Sequence, residues 1–255
     1  MKHWFISDLH ITDINERNGN LLLRFFFWLN ENPSSHSVYF LGDIFDFWLS
    51  DSQVLQDHYK QLIDEIRKFK KGGGKLVYFE GNHDFHIDRF WTKYLDIPVY
   101  ENEAFFNIDG LKVRCEHGDY INPDDHVYLA YREQVRRPWV EWFAHNLPGR
   151  FWKTLGENHS KKSRKKSSNY ALQNTDKVRA MIQAYAMKVF NTEPFDLIVT
   201  GHMHVFDDYS FDVSGKKVRS INLGTWLVEP VALLIDQGQV SIQNIATLIN
   251  KKQPS

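Results

Sequence analysis

Apolar positions along the chain gather into short runs with β-like character, and five of these runs are each followed at once by a polar cluster. The run at 3–7 leads into Asp8-Leu9-His10, and 38–41 leads into Gly42-Asp43. Residues Lys75–Phe79 lead into Gly81-Asn82-His83-Asp84, and the alternating stretch 111–116 leads into His117-Gly118-Asp119. The apolar run 195–200 precedes Gly201-His202-Met203-His204. Further runs at 218–223, 230–235 and 239–245 predict that the chain ends in β structure. Helical periodicity covers 21–29 and 54–70, the second closed by Gly72-Gly73-Gly74. Strands alternating with helices, then a β-rich end, predict an α/β protein built as a mixed sandwich. In such sheets ligands collect beyond the carboxyl ends of the strands, which is where these clusters fall. A single domain over 1–245 is expected.

One region breaks this rhythm. Residues 131–170 carry ten Lys or Arg against three Glu, an excess of seven positive charges in a chain of net charge −1. Trp139, Trp142, Phe143, Phe151 and Trp152 recur there at spacings of three and four, which fits amphipathic helices broken at Pro148-Gly149. The expectation is a helical insertion over about 125–185, capping the active face.

Composition narrows the classes. With 255 residues, 42% hydrophobic and 25% charged, the chain has the make-up of a globular domain with a sizeable core. The single cysteine, Cys115, excludes an internal disulfide framework and suits a reducing compartment. The apolar run near the start is cut by Asp8, and no stretch approaches the roughly 18 uncharged residues of a membrane span. A cytoplasmic protein is expected, with peripheral membrane contact left open. Positive charge confined to one stretch argues against a nucleic-acid track, which needs charge spread along a groove.

Taken together, Asp8, His10, Asp43, Asn82, His117, His202 and His204 supply two carboxylates, an amide and four imidazoles. That is an inventory for two adjacent divalent cations. A carboxylate such as Asp43 can bridge ions roughly 3.5–4 Å apart, and such a pair lowers the pKa of a shared water from about 15.7 toward 7. Oxygen and nitrogen donors without thiolate favour Mn²⁺, Fe or Zn²⁺ over Mg²⁺ or Ca²⁺. Each piece alone has a plainer reading: Gly-Asp after a strand is often a turn, Asn82 a turn former, and His202 and His204 share a side only on extended backbone. The conjunction of five clusters, each closing a strand, carries the argument.

The order D-x-H, G-D, G-N-H-D, H-G-D, G-H-x-H resembles the five signature blocks of the calcineurin-like metallophosphoesterases, over residues 6 to 204. The resemblance implies two stacked β-sheets flanked by helices, an αββα sandwich. It also implies one cation held by Asp8, His10, Asp43 and His204, and a second by Asp43, Asn82, His117 and His202. His83 stands where that family places a histidine that is not a ligand. Charged, it would stabilise the developing oxyanion or protonate the leaving group, an effect of about 10²–10⁴-fold. Asp84 would orient it; the alternative is that His83 packs and Asp84 caps a helix.

A narrower resemblance rests on the run Gly42 to Trp48, on His117-Gly118-Asp119 with Asp124, Asp125 and Tyr128, and on Arg132, Pro138-Trp139 and a Ser/Lys-rich stretch. These are similar to the UDP-2,3-diacylglucosamine hydrolases, over about residues 1–230. That likeness implies Mn²⁺-dependent cleavage of the substrate pyrophosphate into UMP and an acylated sugar phosphate, in lipid A synthesis at the inner face of the bacterial inner membrane. Asp125, Tyr128, Ser160, Arg164 and Lys165 would then contact substrate. Trp139, Trp142, Phe143, Leu147 and Trp152 would line an acyl groove, at about 0.8 kcal/mol per buried CH₂, with the cations of 161–166 meeting pyrophosphate or anionic headgroups. The plainer alternatives are a cap core for the aromatic stripe and a solvated loop for the Lys/Ser run. Two departures concern substrate rather than chemistry: His83 replaces the Arg typical of those hydrolases, and Gly-His-Met-His-Val-Phe replaces their Gly-His-Thr-His-Arg-Pro. A different nucleotide, phosphomonoester or phosphodiester remains the second reading.

Overall fold

The computed structural model describes residues 1–140, 142 and 174–250. Its first sheet holds six strands: β1 (Lys2–Ile6), β2 (His36–Leu41), β4 (Lys75–Phe79), β6 (Val99–Tyr100), β12 (Val231–Asp236) and β13 (Gln239–Asn244), in the order β13-β12-β1-β2-β4-β6. Strands β1, β2, β4 and β6 run parallel, with β12 and β13 antiparallel at one edge. The second sheet orders β10 (Phe206–Val213), β11 (Lys216–Leu223), β9 (Leu197–Thr200), β8 (Leu111–Cys115) and β7 (Ala104–Ile108). Here β8, β9 and β11 are parallel and the two edges antiparallel. A two-stranded ribbon pairs β3 (Trp48–Leu49) with β5 (Asp84–Phe85).

Alternation along the strands decides what each sheet face meets. In β1, Phe5 faces the second sheet and joins Tyr39, Leu41, Val113, Val199 and Leu233 in the layer between the sheets. Its neighbours Trp4 and Ile6 face the other way, onto α1 (Arg17–Leu29), α3 (Lys60–Lys71), α4 (Asp88–Leu95) and α7 (Ile245–Asn250). Helix α1 buries Leu22, Phe25, Phe26 and Leu29, and Trp4 meets Phe25 edge-on at 5.5 Å. Each such side chain contributes about 1.5–3 kcal/mol on burial. On the far side α6 (Thr175–Thr192) lays Val178, Ile182 and Phe190 against Ile198, Phe211 and Val218 of the second sheet. The layers are therefore helix, sheet, sheet, helix, as expected.

Some boundaries differ for physical reasons. The helix expected over 54–70 is split into α2 (Gln53–His58) and α3 at Tyr59. The Tyr59 ring is buried on Phe45, and its hydroxyl donates to the Ile11 carbonyl at 2.9 Å, which pulls this residue out of helical geometry. Residues 175–185, expected in the insertion, lie in α6 on the second sheet. The insertion is described over α5 (His126–Val135) and to 140, with 142; residues 143–173, including Phe143, Leu147, Phe151 and Trp152, lie outside the described residues. Among the described residues no helix is long and apolar enough to cross a membrane.

Candidate metal centre

The topology brings five strand ends to one edge of the sandwich. Asp8 and His10 follow β1, Asp43 follows β2, Asn82 follows β4, His117 follows β8, and His202 and His204 follow β9. Because β1, β2 and β4 are parallel, and β8 and β9 are parallel, their carboxyl ends point the same way.

Backbone conformation at these positions is costly. Asp8, His10, Asp43, His202 and His204 all adopt positive φ, between 49° and 67°. For residues with a Cβ this costs on the order of 1–3 kcal/mol each and persists only where the surroundings enforce it. At Asp8, His10, Asp43 and His202 hydrogen bonds provide the enforcement: Asp8 N donates to Gly42 O at 3.1 Å, His10 N to Asp43 O at 3.0 Å, Trp226 N to Asp8 O at 3.1 Å, and His202 N to the Asp8 carboxylate at 2.9 Å. Gly42 (φ 82°) is required for a separate reason, since a Cβ there would collide with Nδ1 of His117.

The side chains converge in two overlapping groups. In the first, Asp8, His10, Asp43 and His204 bring ligand atoms within 4.8 Å of one another, all four deeply buried. His10 Nε2 lies 3.0 Å from His204 Nε2, and His204 Nε2 lies 3.2 Å from Asp8 Oδ1. In the second, Asn82 Oδ1 lies 3.3 Å from His117 Nε2 and 3.1 Å from His202 Nδ1. Asp43 stands between the groups, with Oδ2 3.8 Å from His10 Nε2 and 3.7 Å from His117 Nε2. All seven sequence-identified residues thus meet.

This donor set fits divalent cations. Two imidazole nitrogens 3.0 Å apart beside two buried carboxylates bring four nitrogen and oxygen donors within 4.8 Å of one another, a set that a divalent cation among them would satisfy. Supporting contacts aim the rings: His117 Nδ1 donates to the Leu41 carbonyl at 2.7 Å, so Nε2 is the nitrogen turned inward. Electrostatics report the same demand for charge. Burial pushes the Asp43 carboxyl up to about 6 against the pull of His117. At His117 burial works downward, but Asp43, Asp119 and Asp8 outweigh it and bring the imidazole up to about 9. His202 is pushed down to about 4 by burial and by the charge on His117.

The calcineurin-like phosphoesterase family model matches residues 1–206, four-fifths of the chain and every clustered residue. The chain belongs to the calcineurin-like phosphoesterases. Within that family it is similar to UDP-2,3-diacylglucosamine hydrolases. The Aliivibrio fischeri enzyme is 27% identical over 87% of this chain and 89% of its own. The Vibrio atlanticus enzyme is 27% identical over 96% and 97%, and the Coxiella burnetii enzyme 25% identical over 89% and 90%. Among solved structures, an archaeal phosphodiesterase aligns over 95% of this chain and 99% of its own at TM-score 0.48 and 13% identity. As a member of this family the protein is a metal-dependent hydrolase.

The remaining expected residues of this phosphoesterase fall differently. His83 is buried beside the first group, its ring 4.8 Å from that of His10, and its Nδ1 donates to the Asp46 carbonyl at 2.9 Å. Burial holds its pKa below the ordinary value. Asp84 was expected to orient this ring, and the structure corrects that: Asp84 accepts from the amides of Asp43, Ile44 and Gly81 at 2.8–2.9 Å and from the Tyr78 hydroxyl at 2.6 Å. Its role is to tie the second block to the third, because a buried carboxylate takes the nearest unpaired donors. Asp125 is exposed at the N-cap of α5, accepting from Tyr128 N at 2.9 Å. The Tyr128 ring lies 4.9 Å from the His202 ring. Ser160, Arg164 and Lys165 lie outside the described residues.

Residue-type reasoning overlooked Asp119, grouped with His117 and His202 within 4.8 Å. It also overlooked Thr225, whose Oγ1 donates to the Asp8 carbonyl at 2.8 Å. Asp119 had a signal, its place in His117-Gly118-Asp119; Thr225 had none. Two cations counted in the charge excess are structural: Arg132 pairs with Asp119 at 2.7 Å and Arg136 with Glu80 at 2.6 Å. A cavity of about 540 Å³ beside α5 is lined by Glu101, Tyr120, His126, Arg132, Glu133 and Arg136 among others, and by none of the seven clustered residues. Convergence of side chains, not this hollow, defines the site.

Proposed function

We propose that this phosphoesterase cleaves the pyrophosphate of UDP-2,3-diacylglucosamine to UMP and 2,3-diacylglucosamine 1-phosphate, with Mn²⁺ as the favoured ion. The observation that carries the reading is the convergence of the seven side chains, in a chain that aligns nearly end to end with hydrolases bearing that substrate's name. Asp8, His10, Asp43 and His204 would hold one cation and Asp43, Asn82, His117 and His202 the other. Bound there, the cations supply charge to offset phosphoryl oxygens and acidity to a water.

The chain's own residues do the rest. Asp43 sits between the two groups and fixes their separation. His83, with Nδ1 committed to the Asp46 carbonyl, offers Nε2 to hold or pass a proton at the leaving oxygen. Burial favours its neutral form, and the negative charge of an arriving pyrophosphate works in the opposite direction. Trp139 and Trp142, 57% and 60% exposed, support contact with acyl chains or a membrane surface. Asp125, Tyr128, Ser160, Arg164 and Lys165 are the proposed substrate contacts.

A second reading, hydrolysis of a soluble nucleotide diphosphate or phosphomonoester, is favoured by His83 standing where those hydrolases typically carry Arg. A Mn²⁺-supplemented assay comparing acylated with deacylated UDP-glucosamine separates the two. Preference for the acylated form, with UMP released, supports the lipid substrate; equal turnover removes it.

A further inference from the structure

Helix α5 is fastened from its first turn to just beyond its last to loops that carry site residues, through polar contacts that pure packing does not require. In its first turn the Tyr128 hydroxyl donates to Oδ1 of Asp119, and in its last turn Arg132 Nε donates to Oδ2 of the same carboxylate at 2.7 Å. Asp119 is buried two residues after His117, with Oδ1 4.0 Å from His202 Nδ1. The guanidinium is itself held, by the Tyr120 hydroxyl at 2.8 Å and the Glu101 carbonyl at 3.2 Å. Just beyond the other end, Arg136 donates to Glu80 Oε2 at 2.6 Å and to the Gly81 carbonyl at 3.5 Å, next to Asn82. His86 Nε2 donates to the Val135 carbonyl at 2.7 Å, on the same loop beyond Asn82.

We propose that α5 is a positioning strut for the half of the site made by Asn82, His117 and His202, with Asp119, Tyr128, Arg132 and Arg136 as its positioning residues. Both oxygens of Asp119 are engaged by the helix, so this carboxylate ties the His117 and His202 loops to it. The Tyr128 ring against His202 gives the helix a direct hold on one ring. The contacts that α5 makes fall on the loops of Asn82, His117 and His202, so that half is where the strut acts first. Outer partners of this kind typically set ligand affinity by about 10–100-fold.

The inference rests on the two-cation reading of the site. The test is Mn²⁺ titration of the full chain by calorimetry, with electron paramagnetic resonance to distinguish a spin-coupled pair from a single ion. In Asp119→Asn and Arg132→Gln the second ion is expected to bind about 10–100-fold more weakly with the first unchanged, the coupled signal giving way to a single-ion signal. Turnover of a small chromogenic phosphodiester should fall mainly in kcat, and Arg132→Lys should restore part of it. Should either variant fail to fold, Tyr128→Phe, which removes one oxygen, should show the same selective loss at smaller size. Two ions bound at wild-type strength in all variants, with only the melting temperature lowered, overturns the strut. A wild-type chain that takes up fewer than two ions sinks the two-cation reading itself and this inference with it.

Discussion

The two halves of the metal centre are built differently. Asp8, His10 and His204 are held by the sandwich: their side chains are at most 5% exposed, and the backbone bonds that fix Asp8 and His10 come from Gly42, Asp43 and Trp226. Asn82 and His202 are only partly buried, the His202 side chain 19% exposed, and their loops lean on α5. A closed set of ligands suits an ion that is simply held, while an open set leaves room for a substrate oxygen. The first half is thus an outcome of the fold, and the second depends on a helix the fold added.

Variants should expose that difference in graded fashion. His117→Ala removes an inward nitrogen of the open half, and activity should be lost while the far-ultraviolet circular dichroism spectrum is kept; near-normal turnover would refute the assignment. His83→Ala should lower kcat by about 10²–10⁴-fold with both ions retained by elemental analysis, because its ring serves the reaction and not the cations. Asp84→Asn should cost roughly 2–3 kcal/mol in denaturant unfolding, since the amide turns a donor toward backbone N–H groups that a carboxylate accepts. The smallest effect is in pH. His117 is held protonated up to about 9 in the ion-free chain, so cation uptake must expel that proton. Affinity for the open half should therefore rise with pH and level off near 9. Calorimetry in buffers of different ionisation enthalpy reads the proton release, and its absence at neutral pH would contradict the charge assigned to His117.

The sequence made the site more legible than the fold around it. Clusters after apolar strands were visible because parallel strands buried on both faces read as unbroken apolar runs, as in β2 and β9. Edge strands were harder: in β10, Asp207, Asp208, Ser210 and Asp212 interrupt the pattern, since a strand covered on one face tolerates polar residues on the other. Helix α4 has eight residues and α7 six, too short for a clear helical period. The Asp84 assignment failed because adjacency in sequence says nothing of direction. Asp84 lies in β5 and points to the 43–45 backbone, while the neighbouring His83 ring turns to the Asp46 carbonyl. Arg132 of α5 and Arg136 just beyond it read as surplus charge because their partners, Asp119 and Glu80, lie off the helix, 13 and 56 residues away.

Anomalous diffraction from crystals grown with Mn²⁺ tests the central claim most directly. The expected result is two peaks roughly 3.5–4 Å apart, one among Asp8, His10 and His204, the other among Asn82, His117 and His202, with Asp43 between them. A single ion, or ions bound away from Asp43, would contradict it.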